Sequence, residues 1–221
     1  MEKLRLIDLT QPIQPGMPVW PGDPAVEFTP WCSLEQHGFS LQRISLGEHS
    51  GTHLGAPRHF IASGCSMEQI PLSRLMAQGV KIILPPGKTG ADLVDIEAWE
   101  QRRGPVPADS WVLFETGWSR LWQDPDAYHA VFPGVTEEAV RFLCRERSIA
   151  GIGIDSPGVD GGASTEFTAN RILAKHGALH LENLHRLELL PLTGFQLFIG
   201  ALPLVNATGS PCRVIALMPS P

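Results

Sequence analysis

This 221-residue chain has no run of apolar residues long enough to cross a bilayer. Its most apolar stretch, Gly194 to Val205, is interrupted by Gln196, Gly200 and Pro203, and a spanning helix takes about 18 residues or more. Charge is scarce as well. Only 18% of residues are charged, the net charge is −6, and Lys and Arg form no cluster, which argues against nucleic acid or an anionic membrane as partner. Cys32, Cys65, Cys144 and Cys212 make no C-x-x-C pair and read as buried or idle thiols, not as a disulfide framework. The opening MEKLRLIDLT has an acidic residue at its second position and no apolar core, unlike a secretory signal. The expected compartment is the cytoplasm. There is no internal repeat, low-complexity run or interdomain linker.

What the chain does have is an apolar fraction of 43%, enough to bury a core in one domain spanning residues 1–221. It carries 22 glycines and 20 prolines, more than the roughly 12% combined share of an average protein. Pro-Gly pairs at 15–16, 21–22, 86–87 and 133–134 mark turns between short elements. Apolar, β-branched runs predict strands at Arg5–Leu9, Leu41–Leu46, Val80–Leu84, Trp111–Phe114, Ile152–Ile154, Phe195–Ile199 and Arg213–Leu217. Three helices are expected. Thr136 caps one with Glu137 and Glu138 in its first turn and Arg145 and Arg147 near its end, the charge order that a helix dipole favours. Asp95 heads a second over Ile96–Arg103, stopped by Gly104-Pro105, and Thr165 caps a third through Lys175, closed by Gly177. Strands in excess, interleaved with helices, give an α/β class with a mixed sheet and flanking helices.

Histidines crowd into the segment from 49 to 59, where His49, His53 and His59 all occupy odd positions. In an extended chain that parity puts the imidazoles on one face. Neutral imidazole is the commonest metal ligand, and the small residues between (Ser50, Gly51, Thr52, Gly55, Ala56) leave room for an ion and a substrate. A second zone, His180 to His185, contains Glu182, which can project from a strand end into a cleft. A third, Gly153 to Gly162, runs an apolar strand into Asp-Ser-Pro-Gly, where α/β folds place binding loops.

In order along the chain, His49-x-Gly51-Thr52-His53-x-x-Ala56-Pro57-x-His59-Phe60 resembles the H-x-G-T-H-x-D-A-P-x-H signature of the cyclase-like metal-dependent hydrolase family, which includes bacterial kynurenine formamidase and isatin hydrolase. The likeness extends to Ile7–Thr10 with Pro18–Pro24, Thr116-Gly117-Trp118, Gly153–Asp160, Leu181–Leu184 and Ala201–Leu204. It implies a swivelling β/β/α fold assembled as a homodimer or homotetramer. It implies His49 and His53 as metal ligands, Glu182 as a further ligand, and His59 as acid/base. The chain departs from the pattern twice: the aspartate of H-x-D is Gly55, and the histidine of the family's A-H-R helix motif is Asn170. Glycine supplies no bridging charge and an amide is a weak zinc ligand, so one divalent ion, zinc or manganese, is expected and a second is not.

The reaction this reading favours is hydrolysis of a small cyclic or aryl amide, lactam or lactone. Trp20, with Trp118 and Phe39, supplies candidate aromatic walls, and Gly55 and Asn170 open space beside the substrate. The alternatives are a cyclase, dehydratase or isomerase that uses His59 with little or no metal, and an inactive binding relative.

Overall fold

In the computed structural model, which describes residues 3–220, the apolar alternation at the end of the chain becomes its longest strand. This is β12 (Gly209–Pro219), whose Val214, Ala216 and Met218 turn inward while Arg213, Ile215 and Leu217 face outward. Its second half pairs with β1 (Leu4–Asp8) on one side and β11 (Phe195–Ala201) on the other, and its first three residues pair with β4 (His53–Gly55). The remaining strands are β2 (Glu27–Cys32), β3 (Leu41–Ser45), β5 (Met76–Ile83), β6 (Gly90–Ala91), β7 (Trp111–Glu115), β8 (Gly134–Val135), β9 (Gly151–Ile154) and β10 (Leu179–Glu182). The main sheet runs β1-β12-β11-β5-β7-β9-β10-β4, and the β12–β4 pairing closes it on itself. Strands β5, β7, β9 and β10 are parallel and the other neighbours antiparallel. This is the mixed α/β sheet that the sequence predicts.

Strands β7 and β9 are buried along almost their whole length, as befits parallel strands covered on both faces. One face packs Leu9, Leu54, Trp111, Leu181, Leu197 and Val214 together. The other packs Val80, Val112, Phe114 and Ile152 against α3 (Leu93–Arg103), α5 (Glu137–Glu146) and α6 (Thr168–Lys175). The short helices are α1 (Leu34–His37), α2 (Leu72–Leu75) and α4 (Pro125–Tyr128). None of the described helices is long and apolar enough to cross a membrane.

The Thr136 cap forms as expected, its hydroxyl accepting from the Ala139 amide. Helix α3 begins earlier than the sequence reading places it: Asp92 is the cap, and Asp95 is its reciprocal partner one turn in. Helix α6 starts at Thr168, so Thr165 caps nothing. Phe167 precedes the helix in a left-handed conformation, and the amides of Ala169 and Asn170 donate instead to Asp160, at 2.8 and 2.9 Å. Strand β2 was not legible, because Pro30 interrupts it. It pairs only with β3, as an outlying ribbon whose side chains are largely exposed.

Candidate functional site

The register of β4 against β10 builds the site. His53 lies opposite Glu182 and Gly55 opposite His180, while Leu54 and Leu181 between them face the core and are fully buried. Alternation therefore places His53, His180 and Glu182 on one side of the seam. On the other edge of β4, Gly209 of β12 lies opposite Gly55. These two glycines are voids that imidazoles fill. A Cβ on Gly55 would sit 1.8 Å from His180 Nε2, and one on Gly209 would sit 2.5 Å from His49 Cε1. The His49 and His180 rings are nearly parallel, inclined by 13° with centroids 6.1 Å apart. The His53 ring stands across both, at 88° to His49 and 84° to His180. His49, His53 and His180 each bring a ligand atom to within 4.8 Å of the other two.

The donor set fits a metal ion. His53 Nδ1 is 2.9 Å from the Gly51 carbonyl, an acceptor, so Nδ1 carries the proton and neutral His53 keeps a lone pair on Nε2. No donor among the described residues satisfies that buried Nε2. It lies 3.2 Å from Glu182 Oε2, itself an acceptor. Two facing lone pairs repel unless a proton or a cation lies between them, and two further imidazoles converge on the same point. Burial, then the neighbouring His53, His59 and His180, hold the His49 pKa far below the ordinary imidazole value. Burial, against the pull of Glu182, holds His180 at about 4. Burial opposes ionisation of Glu182, but His180, His53 and the Val159 amide outweigh it and bring its pKa to about 2. Near neutrality the two histidines are thus neutral and Glu182 is anionic, which is the state in which they ligate.

His59 ends the 3₁₀ turn Pro57–His59, and its ring centroid is 3.9 Å from that of His49. It is exposed at the opening of the site. Desolvation lowers its pKa, with Glu182 opposing and His53 adding to the shift. The site opens into a cavity of about 460 Å³ whose apolar wall includes Trp20, Phe60 and Phe167. The ring centroids run 6.1 Å from Trp20 to Phe167 and 5.9 Å from Phe167 to Phe60. Asn170 lines the same cavity; its amide nitrogen is 3.4 Å from Glu182 Oε1 and its buried carbonyl oxygen has no partner.

The structure thus gathers His49, His53, His59, Glu182, Trp20 and Asn170 around one cavity. Gly55 is not in the cavity wall, because the His180 ring covers it. Trp118 packs beside Tyr128, donating to its carbonyl, and Phe39 is 53% exposed on the β2–β3 ribbon. Neither lines the cavity. His180 was missed, although its same-parity position two residues before Glu182 was the available signal.

The putative-cyclase family model matches residues 7–161. An isatin hydrolase of Roseibium aggregatum is 31% identical, over 98% of this chain and 93% of that protein. A kynurenine formamidase of Geobacillus thermodenitrificans is 31% identical, over 94% of each chain. The structure of isatin hydrolase A from Labrenzia aggregata bound to benzyl benzoate superposes with a TM-score of 0.91 at 31% identity, covering 98% of this chain and 94% of that one.

Proposed function

Because the chain belongs to the putative-cyclase family, we propose that it hydrolyses the C–N bond of a small cyclic or aryl amide, using one divalent ion held by His49, His53 and His180. It is a metal-dependent hydrolase of the isatin hydrolase and kynurenine formamidase kind. The observation that carries the ligand assignment is the convergence of three imidazoles within 4.8 Å, with His53 Nε2 unsatisfied in their midst. Three nitrogen donors favour zinc over manganese, which prefers oxygen, and catalytic zinc sites keep their fourth position open. A cation bound there supplies Lewis acidity and makes water a nucleophile near neutral pH.

The chain's own groups do the rest. His59, exposed at the opening with its ring tilted against that of His49, takes a proton from the attacking water and passes it to the departing nitrogen as the C–N bond breaks. Glu182 sets a negative charge beside His53 and offsets half of the ion's charge. Trp20, Phe60 and Phe167 face a planar substrate and exclude water, and Asn170 Oδ1 accepts a hydrogen bond from it. Turnover of isatin, N-formylkynurenine and simple lactones, measured with the zinc content of the purified protein, tests this reading. Hydrolysis that tracks zinc content supports it. Turnover that survives exhaustive chelation and is lost in His59→Ala would favour a metal-free cyclase or isomerase, and neither zinc nor turnover would favour an inactive relative.

A homodimer or homotetramer is part of the same reading. A two-stranded ribbon standing alone is marginal in water, yet β2–β3 and the helix between them expose Trp31 (64%), Leu34 (69%) and Ile44 (57%). A second copy of the chain covering this surface accounts for it, and sedimentation of the unaltered protein against Trp31→Asp checks it. The four free cysteines are in keeping with a cytoplasmic location.

A further inference from the structure

Two short segments face each other at the edge of the site, Glu48-His49 on the loop before β4 and Thr208-Gly209 at the start of β12. We infer that Glu48 and Thr208 form a positioning relay that fixes the tautomer of His49, so that His49 meets the ion through Nδ1 while His53 meets it through Nε2. The inference rests on the metal-site reading above and adds to it the atom by which each histidine binds.

The assignment follows from counting protons. The Thr208 amide and hydroxyl both donate to Glu48 Oε2, at 2.8 and 2.6 Å. A hydroxyl has one proton, and a carboxylate is the stronger acceptor available to it. Thr208 Oγ1 therefore has only lone pairs left for His49 Nε2, which lies 3.1 Å away. The proton in that contact belongs to His49, so its Nε2 is the N–H and its Nδ1 carries the lone pair. Gly209 fixes the ring's place: the space where its Cβ would stand lies 2.5 Å from His49 Cε1, 2.8 Å from Nε2 and 2.9 Å from Nδ1. The glycine thus seats the imidazole and the neighbouring threonine sets its polarity.

His53 has the opposite arrangement. Its Nδ1–H donates to the Gly51 carbonyl, and that carbonyl also accepts from Asn183 Nδ2 at 2.9 Å. Asn183 is oriented in turn by the Tyr128 hydroxyl, which donates to its Oδ1 at 2.8 Å. The carbonyl that orients His53 is thus held in a buried network. His49 is oriented by a relay whose last member, Glu48, is exposed. A hydrogen bond that fixes the free nitrogen of a ligating histidine is typically worth about 10–100-fold in metal affinity, and here it is supplied in two different ways to two ligands of one ion.

The test compares unaltered protein with Thr208→Val, Thr208→Ser and Glu48→Ala. Long-range ¹H–¹⁵N spectra of the metal-free protein read the imidazole tautomers, and Co(II) titration followed by d–d absorption reads affinity. The expected result is His49 protonated on Nε2 in the unaltered and Thr208→Ser proteins. In Thr208→Val, mixed tautomers and about a 10–100-fold weaker Co(II) affinity are expected. Glu48→Ala, at an exposed position, frees the Thr208 hydroxyl to donate and shifts His49 toward the Nδ1–H form; it carries the test if Thr208→Val does not fold. Restoration by serine separates positioning from a mere tie between loops. A His49 protonated on Nδ1 in the unaltered protein, or variants indistinguishable from it in both readouts, overturns the relay. Failure of the unaltered protein to take up Co(II), with the tautomers as expected, overturns the metal-site reading on which the relay depends.

Discussion

The two sides of the cavity treat their polar atoms in opposite ways. On the imidazole side, hydrogen bonds occupy Nε2 of His49 and Nδ1 of His53 and leave His53 Nε2 unsatisfied, and the glycines at 55 and 209 clear space for two rings. On the carboxylate side most oxygens are already engaged, the exceptions being Glu182 Oε2, which faces His53, and Asn170 Oδ1. Both oxygens of Asp160 hold the first amides of α6, and Glu182 Oε1 holds the Val159 amide. Asn170 offers a neutral acceptor and no charge. Three convergent imidazoles with an unsatisfied nitrogen among them are the better ion site, and on the proposed reading the first side takes the ion and the second meets the substrate. Charge composition alone would have pointed to the acidic side.

The largest disturbance of that division is Gly55→Asp. Its Cβ would stand 1.8 Å from His180 Nε2, so the new side chain and the seated ring exclude each other. The predicted result is a loss of zinc affinity of at least about 100-fold, the upper end of what an outer-shell change costs. Equilibrium dialysis measures it. Restoring the family pattern therefore takes three changes, not two. Gly55→Asp with His180→Val and Asn170→His is expected to bind two ions per chain where the unaltered protein binds one.

Next in size is His59→Ala, which removes the proposed proton carrier and leaves His49, His53 and His180 in place. Its turnover should fall about 10²–10⁴-fold with zinc content unchanged. If zinc falls as well, His59 belongs to the ion side.

Acidification sharpens the comparison further. His49 and His180 are held below the ordinary imidazole value, His180 at about 4, whereas histidines of the unfolded chain titrate near about 6.5. The unfolded state thus binds protons first, and stability rises with pH in that window. The contribution of His180 is fully present above about pH 6.5 and is lost as pH falls toward 4, while that of His49, which is held lower, goes on falling below that. Glu182, held at about 2, acts in the same direction at lower pH. Its contribution is present above the unfolded carboxylate value and is lost as pH falls toward 2. Urea midpoints of metal-free protein should drop between about pH 7 and about pH 5, and drop less in His180→Val.

The smallest effect belongs to the carboxylate side. Asp160→Ala removes the cap of α6 and should cost about 1 kcal/mol, a fall in Tm of roughly 2–4 °C, with ion affinity retained. A thermal scan with and without zinc distinguishes this from damage to the ion side.

Much of this was legible in the sequence where chemistry lies close along the chain. The crowding of His49, His53 and His59 was legible locally, as were the strands β5, β7, β9, β11 and β12 and the cap at Thr136. The alternation expected of the three histidines does not form: His49 lies in a turn, His53 on β4 and His59 in a 3₁₀ turn, and the fold, not strand parity, brings their rings together. What was not legible depends on register between distant segments. Gly55 reads as an absent carboxylate until β10 is laid against β4; then it is the void that seats His180. Gly209 carries no signal at all without β4 and His49 beside it. In the same way Thr165 looked like the cap of α6 because the true one, Asp160, reaches back across an irregular loop. Phe39 and Trp118 are aromatic in composition only: one lies on the outlying ribbon, and the other is tied to the Tyr128 carbonyl.

Counting zinc per chain in the unaltered protein and in His180→Ala, each saturated and then dialysed, tests the central claim most directly. One ion in the first and almost none in the second is the predicted result. Two ions in the first, or an undiminished ion in the second, would contradict it.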